Sequence, residues 1–163
     1  MSTQISLESA QMTAQAVLKK LQPYCKKITV AGSIRRHRPW VHDLDIVLIP
    51  SDPWNLHQEQ LKLGQLSMSG TKIKKVIMAS PGGPLAVDIY VATPETWATL
   101  LLIRTGSAQN NIRLATRAKD RGWHLAASGD GLFNENGQRV AGDTEESVYQ
   151  ALGLSYQPPE KRD

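Results

Sequence analysis

Three acids and a glycine–serine pair are the residues of this chain whose types and spacing could do chemistry. Asp43 and Asp45 open the apolar run DLDIVLI (43–49), one residue apart. On a β-strand, positions i and i+2 share a face. Both carboxylates therefore project one way, and Leu44 and Ile46 the other. Two like charges held together raise each other's pKa, an unfavourable arrangement unless a cation lies between them. Hard carboxylate oxygens suit Mg²⁺. Asp88 stands alone in LAVDIYVA (85–92), where an isolated charge is costly to bury. If that strand lies beside 43–49, three carboxylates converge. Such a set can hold two divalent ions about 4 Å apart, which activate an attacking hydroxyl and steady a leaving pyrophosphate. The plainer alternative is that Asp43 caps the strand, Asp45 pairs with an arginine and Asp88 lies on a sheet edge.

Gly32-Ser33 stands ten residues upstream of the acid pair. A Gly-Ser turn opening a short helix offers backbone N–H groups, a hydroxyl and a positive dipole end to a phosphate. Arg35 and Arg36 follow within one turn. A phosphate cradle followed by a metal-binding pair on a strand is what nucleotidyl transfer needs. The dipeptide alone could equally be a simple turn.

Elements must position these groups. Apolar spacing from Leu7 to Leu21 predicts a helix over 7–22, closed by Pro23. Ile28 to Ala31 reads as a strand, and Ser33 is expected to N-cap a short basic helix. The strand 43–49 is followed by a Pro50–Pro53 turn and a helix from Trp54 to Leu63. Gln65 to Ala79 reads as two strands with a turn near Gly70, Ser80–Pro84 as a loop, and Leu85 to Ala92 as a further strand. Thr93-Pro94-Glu95 is expected to open a helix to about Arg104. Gly106 ends it and Ser107 caps the next, to about Arg121. Short strands with an Asn-Glu-Asn-Gly turn follow over 123–141, then a last helix from Asp143 to about Leu152.

Bulk properties set the class. The 163 residues suggest one domain or two small lobes. One cysteine, Cys25, excludes an internal disulfide and fits a reducing compartment. The polar N-terminus lacks a signal pattern, and no apolar run approaches the roughly 18 residues of a membrane span. A soluble, cytoplasmic protein without membrane association is expected. The net charge is +4, and its distribution says more than its size. Between Arg104 and Arg121 lie five basic residues against one acid. Smaller clusters are Arg35, Arg36 and Arg38, and Lys72, Lys74 and Lys75. Arg113, Arg117 and Arg121 are spaced by four and form one stripe on a helix, either a solvated face or a contact for nucleic-acid phosphates.

GS-x-x-R with D-x-D on the next strand resembles the signature of the DNA polymerase beta-like nucleotidyltransferases. RTGSAQNNIRLATRAKDRGWHL (104–125) resembles the Thr-Gly-Ser turn and nucleotide-contacting helix of family X DNA polymerases. GLFNENGQRVAGDTEESVYQALGLSYQPPEKRD (131–163) resembles the end of their thumb. The likeness covers about residues 10–163. It implies an α+β fold: a nucleotidyltransferase palm, with a mixed β-sheet and flanking helices, over 1–105, and a small, mostly helical thumb over 106–163. It implies a DNA-directed DNA polymerase that adds nucleotides to a primer 3′-hydroxyl with release of pyrophosphate, in short-patch repair synthesis of low processivity. Two Mg²⁺ ions, or Mn²⁺ in their place, would be held by Asp43, Asp45 and Asp88, and Asp88 would assist the 3′-hydroxyl. The resemblance places Gly32, Ser33 and Arg36 at the triphosphate, Gly106 and Ser107 beside the sugar, and Asn111 at the base. Arg113, Arg117 and Arg121 would contact DNA, with Lys72 and Lys74 as further DNA contacts. Primer-template DNA and nucleoside triphosphates are the implied partners, and a monomer is expected.

Three positions depart from the family pattern. His42 replaces a glycine before the first acid; its backbone N–H could still meet a phosphate, and its side chain could contact the nucleotide. Ile103-Arg104 replaces an aromatic pair near the sugar, which implies weak discrimination against ribonucleotides. Ala115 replaces an arginine that reads the template, which implies low fidelity or loose template dependence. The family's lyase-like and fingers lobes have no counterpart in the sequence as read, so gap preference and lyase activity are not expected. A template-independent transferase, an enzyme acting on RNA or a small acceptor, and a non-catalytic DNA-binding module are the alternatives.

Overall fold

A five-stranded mixed sheet forms the centre of the first of two units. The computed structural model describes residues 4–163, and the chain divides into Met1–Val91 and Ala92–Asp163. The first unit begins with β1 (Ile5–Ser6), which pairs antiparallel with β3 (Trp40–Val41). Helix α1 (Leu7–Leu21) follows, with Ser6 Oγ accepting from the Ser9 N–H at 3.2 Å. The sheet proper holds β2 (Cys25–Val30), β4 (Asp43–Pro50), β5 (Gln65–Ser69), β6 (Ile73–Ser80) and β7 (Gly83–Val91), in the order β2-β4-β7-β6-β5. Only β4 and β7 run parallel; the other neighbours are antiparallel.

Alternation along the strands sorts the sheet's two faces. Leu44, Ile46 and Leu48 of β4 join Val76, Leu85, Val87 and Ile89 in one buried cluster. The same cluster takes in Ala10, Ala14, Val17 and Leu21 of α1, and Leu56 and Leu63 of helix α3 (Pro53–Leu63). The helical period of α1 and the two-residue period of β4 thus meet in one core. Asp43, Asp45 and Asp88 fall on the opposite face by the same alternation.

Helix α2 (Gly32–Arg35) is a single turn between β2 and β3. Here the sequence expectation needs correction. Ser33 lies inside the turn; Ala31 precedes it, and no side chain caps it. The turn starts a residue early because the Ala31 carbonyl already accepts from the Arg35 N–H at 3.3 Å, and the chain enters it through Gly32 at φ +59°, a left-handed conformation glycine adopts at little cost. The stretch Ser80–Pro84 is also tighter than a loop. It is a hairpin turn in which Ser80 pairs with Gly83 and the Ser80 hydroxyl donates to the Gly83 carbonyl at 2.6 Å.

The second unit contains α4 (Trp97–Thr105), α5 (Ala108–Asp120), a small antiparallel sheet of β8 (His124–Leu125), β9 (Leu132–Phe133) and β10 (Arg139–Ala141), and α6 (Glu145–Ala151). Its core gathers Leu102, Leu114, Ala118, Leu125, Leu132, Val148, Tyr149 and Leu152. Helix α4, assigned to the first lobe from sequence, therefore packs in the second unit through Leu102. It begins at Trp97, not at Pro94, because Thr93 and Thr96 bond each other: the Thr93 N–H donates to Thr96 Oγ1 at 2.9 Å and the Thr96 N–H to Thr93 Oγ1 at 3.3 Å. Ser107 caps α5 as expected, accepting from the Asn110 N–H at 3.2 Å. No helix among the described residues is long and apolar enough to cross a membrane.

Candidate active site

The parallel pairing of β4 with β7 brings the acids together. Asp45 lies directly opposite Asp88, and Asp43 opposite Ala86, two places along the same face. Neighbouring strands are about 4.8 Å apart, so the carboxylates of Asp45 and Asp88 share one patch of surface. β7 lies between β4 and β6, so Asp88 occupies an interior strand and not a sheet edge. It is only 9% exposed.

Gly32 closes one side of the patch. A Cβ built there would collide with Asp45 Oδ2 and stand 2.9 Å from Asp45 Cγ. The Gly32 backbone is thus pressed against the Asp45 carboxylate, a place no other residue can take without moving it. Arg36 follows at the C-cap of α2. Burial, and next the charge of Arg38, pull the Arg36 guanidinium below the usual arginine range, while Asp45 acts in the opposite sense. Arg36 and Asp45 therefore feel each other across the patch. Ser33 is half-buried in the same turn, and His42 is exposed just ahead of Asp43.

Lys75 completes the constellation, and sequence reasoning missed it. It pairs in register with Asp88 across β6 and β7. Its Nζ lies 3.6 Å from Asp88 Oδ1. The only sequence signal was strand parity: in the run Lys72, Lys74, Lys75, neighbours within a strand face opposite ways. Parity puts Lys74, expected from sequence as a DNA contact, on the face opposite Lys75. Lys74 points to the helical face, where its Nζ contacts Gln60 Oε1 and His57 Nδ1, each at 3.0 Å. Lys72 is exposed in the turn before β6.

The donor set suits a hard divalent cation: carboxylate oxygens on adjacent strands, in register. In the side-chain arrangement present, no group of three or more His, Cys, Asp or Glu among the described residues is gathered tightly enough to hold an ion. The Lys75 ammonium stands at Asp88 instead. Strand register alone provides the fit, with Asp45 opposite Asp88 and Asp43 on the same face.

In the second unit, Gly106 and Ser107 form the turn between α4 and α5. Gly106 has φ +67°, and its peptide bond to Ser107 is cis. The Ser107 N–H donates to the Arg162 carbonyl at 2.9 Å, so the end of the chain holds this turn. Asn111 Nδ2 donates to the Ile103 carbonyl at 2.8 Å, and its Oδ1 is buried without a hydrogen-bond partner. The arginine stripe has a structural task as well as exposure. Arg117 Nε donates to the Leu152 carbonyl at 3.0 Å, and Arg121 Nη1 to the Ala151 carbonyl at 2.7 Å. Both bind the C-terminal end of α6, where unsatisfied carbonyls and the helix dipole favour cations. Arg113 donates to Asn110 Oδ1.

Residues 100–163 match the family described as the DNA polymerase beta thumb. Over 139 residues the chain is 30% identical to the DNA polymerase/3′-5′ exonuclease PolX of Bacillus subtilis (strain 168), covering 84% of this chain and 24% of that protein. The chain is family X polymerase-like. It spans about a quarter of the length of that curated relative. The fold is that of the polymerase beta of Leishmania infantum solved as a ternary P/T complex, with a TM-score of 0.84 at 21% identity over 98% of this chain and 77% of that one.

One prediction belongs to this family X-like site. Gly32→Ala places a methyl group against the Asp45 carboxylate and forces a left-handed backbone on a residue with a Cβ, at a cost of about 1–2 kcal/mol. The expected outcome is a modest fall in melting temperature and a much larger fall in any metal-dependent nucleotide transfer, because Asp45 must turn away. Calorimetry and single-turnover kinetics on the same preparation separate the two.

Proposed function

We propose that this chain is a DNA-directed DNA polymerase, adding a nucleotide to a primer 3′-hydroxyl with release of pyrophosphate. The observation that carries the proposal is the in-register Asp45–Asp88 pair, with Asp43 on the same face and the Gly32 backbone against Asp45. Divalent ions bound by the three carboxylates would neutralise developing charge and lower the pKa of the attacking hydroxyl. The protein's own part is positional and electrostatic. The Gly32–Arg35 turn and Arg36 supply N–H groups and positive charge to a triphosphate. Asp88, on an interior strand of the sheet, would assist the hydroxyl by taking its proton. The family X likeness supports DNA as the acceptor, and short-patch repair is the role we assign.

Labelled-primer extension tests this on recessed, gapped and single-stranded DNA, with Mg²⁺ or Mn²⁺ and with deoxy- and ribonucleotides. Template-directed extension is the expected result. Extension that ignores the template would make the chain a terminal transferase, and no extension on any substrate would overturn the proposal.

Lys75 gives this reading a second handle. Its ammonium competes with any cation for Asp88. Lys75→Met is expected to tighten divalent-ion binding several-fold, read as Mn²⁺ affinity by electron paramagnetic resonance. Stability should fall by about 1–3 kcal/mol, because the Asp88 side chain is only 12% exposed and loses an ionic partner. An unchanged Mn²⁺ affinity would show that Lys75 does not gate the carboxylates.

A further inference from the structure

On the far side of the sheet from the carboxylates lies a cavity of about 380 Å³ lined by Pro50, Pro53, Leu56, Gln60, Ser69, Gly70, Thr71, Lys74 and Val91. Its chemistry is uneven. Pro50, Pro53, Leu56 and Val91 give apolar walls, Ser69 and Thr71 a hydroxyl lip, and Lys74 the charge.

The hydrogen-bond accounting at its base is incomplete in one direction. An ammonium only donates, and it has three N–H groups. Lys74 gives one to Gln60 Oε1 and one to His57 Nδ1, both at 3.0 Å. Since Lys74 cannot accept, it also fixes the Gln60 amide orientation and the His57 tautomer with the proton on Nε2. Gln60 is 1% exposed, and its Nε2 has no hydrogen-bond partner. Among the described residues, the buried Gln60 amide N–H₂ is left without an acceptor, and the half-buried Lys74 ammonium keeps a third N–H for a ligand or solvent. A buried unsatisfied donor is costly. Burial also holds the Lys74 ammonium below its ordinary pKa, so a bound anion would relieve both deficits. The acids at and on α3 are engaged elsewhere: Asp52 accepts from the Asn55 N–H and Nδ2 at the start of the helix, and Glu59 accepts from Lys62 Nζ at 3.1 Å.

We propose that this cavity binds a small carboxylate carrying an apolar group, with the carboxylate on Lys74 and Gln60 and the apolar body against Pro50, Pro53, Leu56 and Val91. A bare inorganic oxyanion would satisfy the donors but leave the walls unfilled. A neutral apolar molecule would do the reverse. The site is independent of the polymerase reading, because Lys74 and Lys75 face opposite sides of the sheet.

Benzoate is a suitable probe, titrated into isotope-labelled protein while the amide resonances of Gly70 and Thr71 are followed. The expected result is a saturating shift at both residues. Affinity should fall about tenfold or more in Lys74→Met, the loss of a charge-assisted hydrogen bond, and several-fold in Gln60→Leu. Unperturbed resonances of Ala10 and Ala14, in the same core on α1, show that each variant is folded. Benzyl alcohol should bind more weakly than benzoate, and a saturating deoxynucleoside triphosphate with Mg²⁺ should leave the benzoate shifts in place. No saturable shift would overturn the proposal, as would benzoate affinity unchanged in both variants. Benzyl alcohol or inorganic phosphate binding as tightly as benzoate would also overturn it, as would displacement by nucleotide.

Discussion

Asp88→Asn is expected to lower primer extension by about a hundredfold to a thousandfold or more, the scale of losing one preorganised electrostatic group, while leaving the fold as stable as before or more so. The reason lies in the register. Asp88 faces Asp45 directly on a parallel neighbour, and like charges that close repel. Neutralising Asp88 removes that repulsion at the loss of the 3.6 Å pair with the half-exposed Lys75, whose ammonium solvent can hydrate, and the apolar cluster on the other face, with Ile46, Val87 and Ile89, is untouched. A carboxylate kept for folding would show the opposite pattern, losing stability together with activity. Asparagine is preferable to alanine because it keeps the volume and leaves no cavity beside Lys75. Asp45→Asn should behave alike, and the double variant should lose little more than either single one, since the two carboxylates act as a unit. Extension rates and melting temperatures for the set decide the matter. Activity within threefold of the parent in either single variant would remove these residues from the reaction.

The second large effect concerns Arg162, close to the end of the chain. Its side chain is fully buried. Two nitrogens reach Glu145, at 3.0 and 3.4 Å, and Nε donates to the Gln157 carbonyl at 2.9 Å. The guanidinium also stands 5.6 Å from the ring centres of both Tyr149 and Tyr156, where cation–π attraction adds to the packing. Burial pulls the guanidinium's pKa down, but its hydrogen bonds to Glu145 and the Glu145 charge more than offset this, and the net shift is upward. Removing one partner of such a pair strands the other charge in a low-dielectric site, at about 3–5 kcal/mol. For a domain the size of the second unit this is a fall of about 10 °C or more in melting temperature. Arg162→Met is the variant to make. Pairing it with Glu145→Leu should restore much of the loss, because an apolar pair of similar volume replaces a desolvated ion pair. If the double variant is no better than Arg162→Met, the arginine acts through its contacts to Gln157 and the tyrosines rather than through Glu145. The Arg162 carbonyl accepts from the Ser107 N–H, so loosening the tail should also loosen the Gly106–Ser107 turn. Hydrogen exchange at Ser107 would report that directly.

Much of the fold was legible in the sequence because its signals are local. The two-residue alternation of DLDIVLI placed Asp43 and Asp45 on one face whatever the strand pairs with. The spacing of Ala10, Ala14, Val17 and Leu21 marked the buried stripe of α1, and Ser107 marked the start of α5. Capping and periodicity act within a few residues, so they can be read without knowing the rest of the chain. The partner of each group was decided elsewhere. Asp88 meets Asp45 only because β4 and β7 pair in parallel, a contact between residues far apart along the chain. Lys75 joins the carboxylates and Lys74 the helical face because β6 takes one register and not the next. Arg117 and Arg121 turn to the end of α6 because that helix returns to leave its carbonyls there, and Arg162 is buried because Glu145 waits for it across the unit. The local sequence determines which face a side chain can occupy; only tertiary pairing, with its specific register, determines what that face meets.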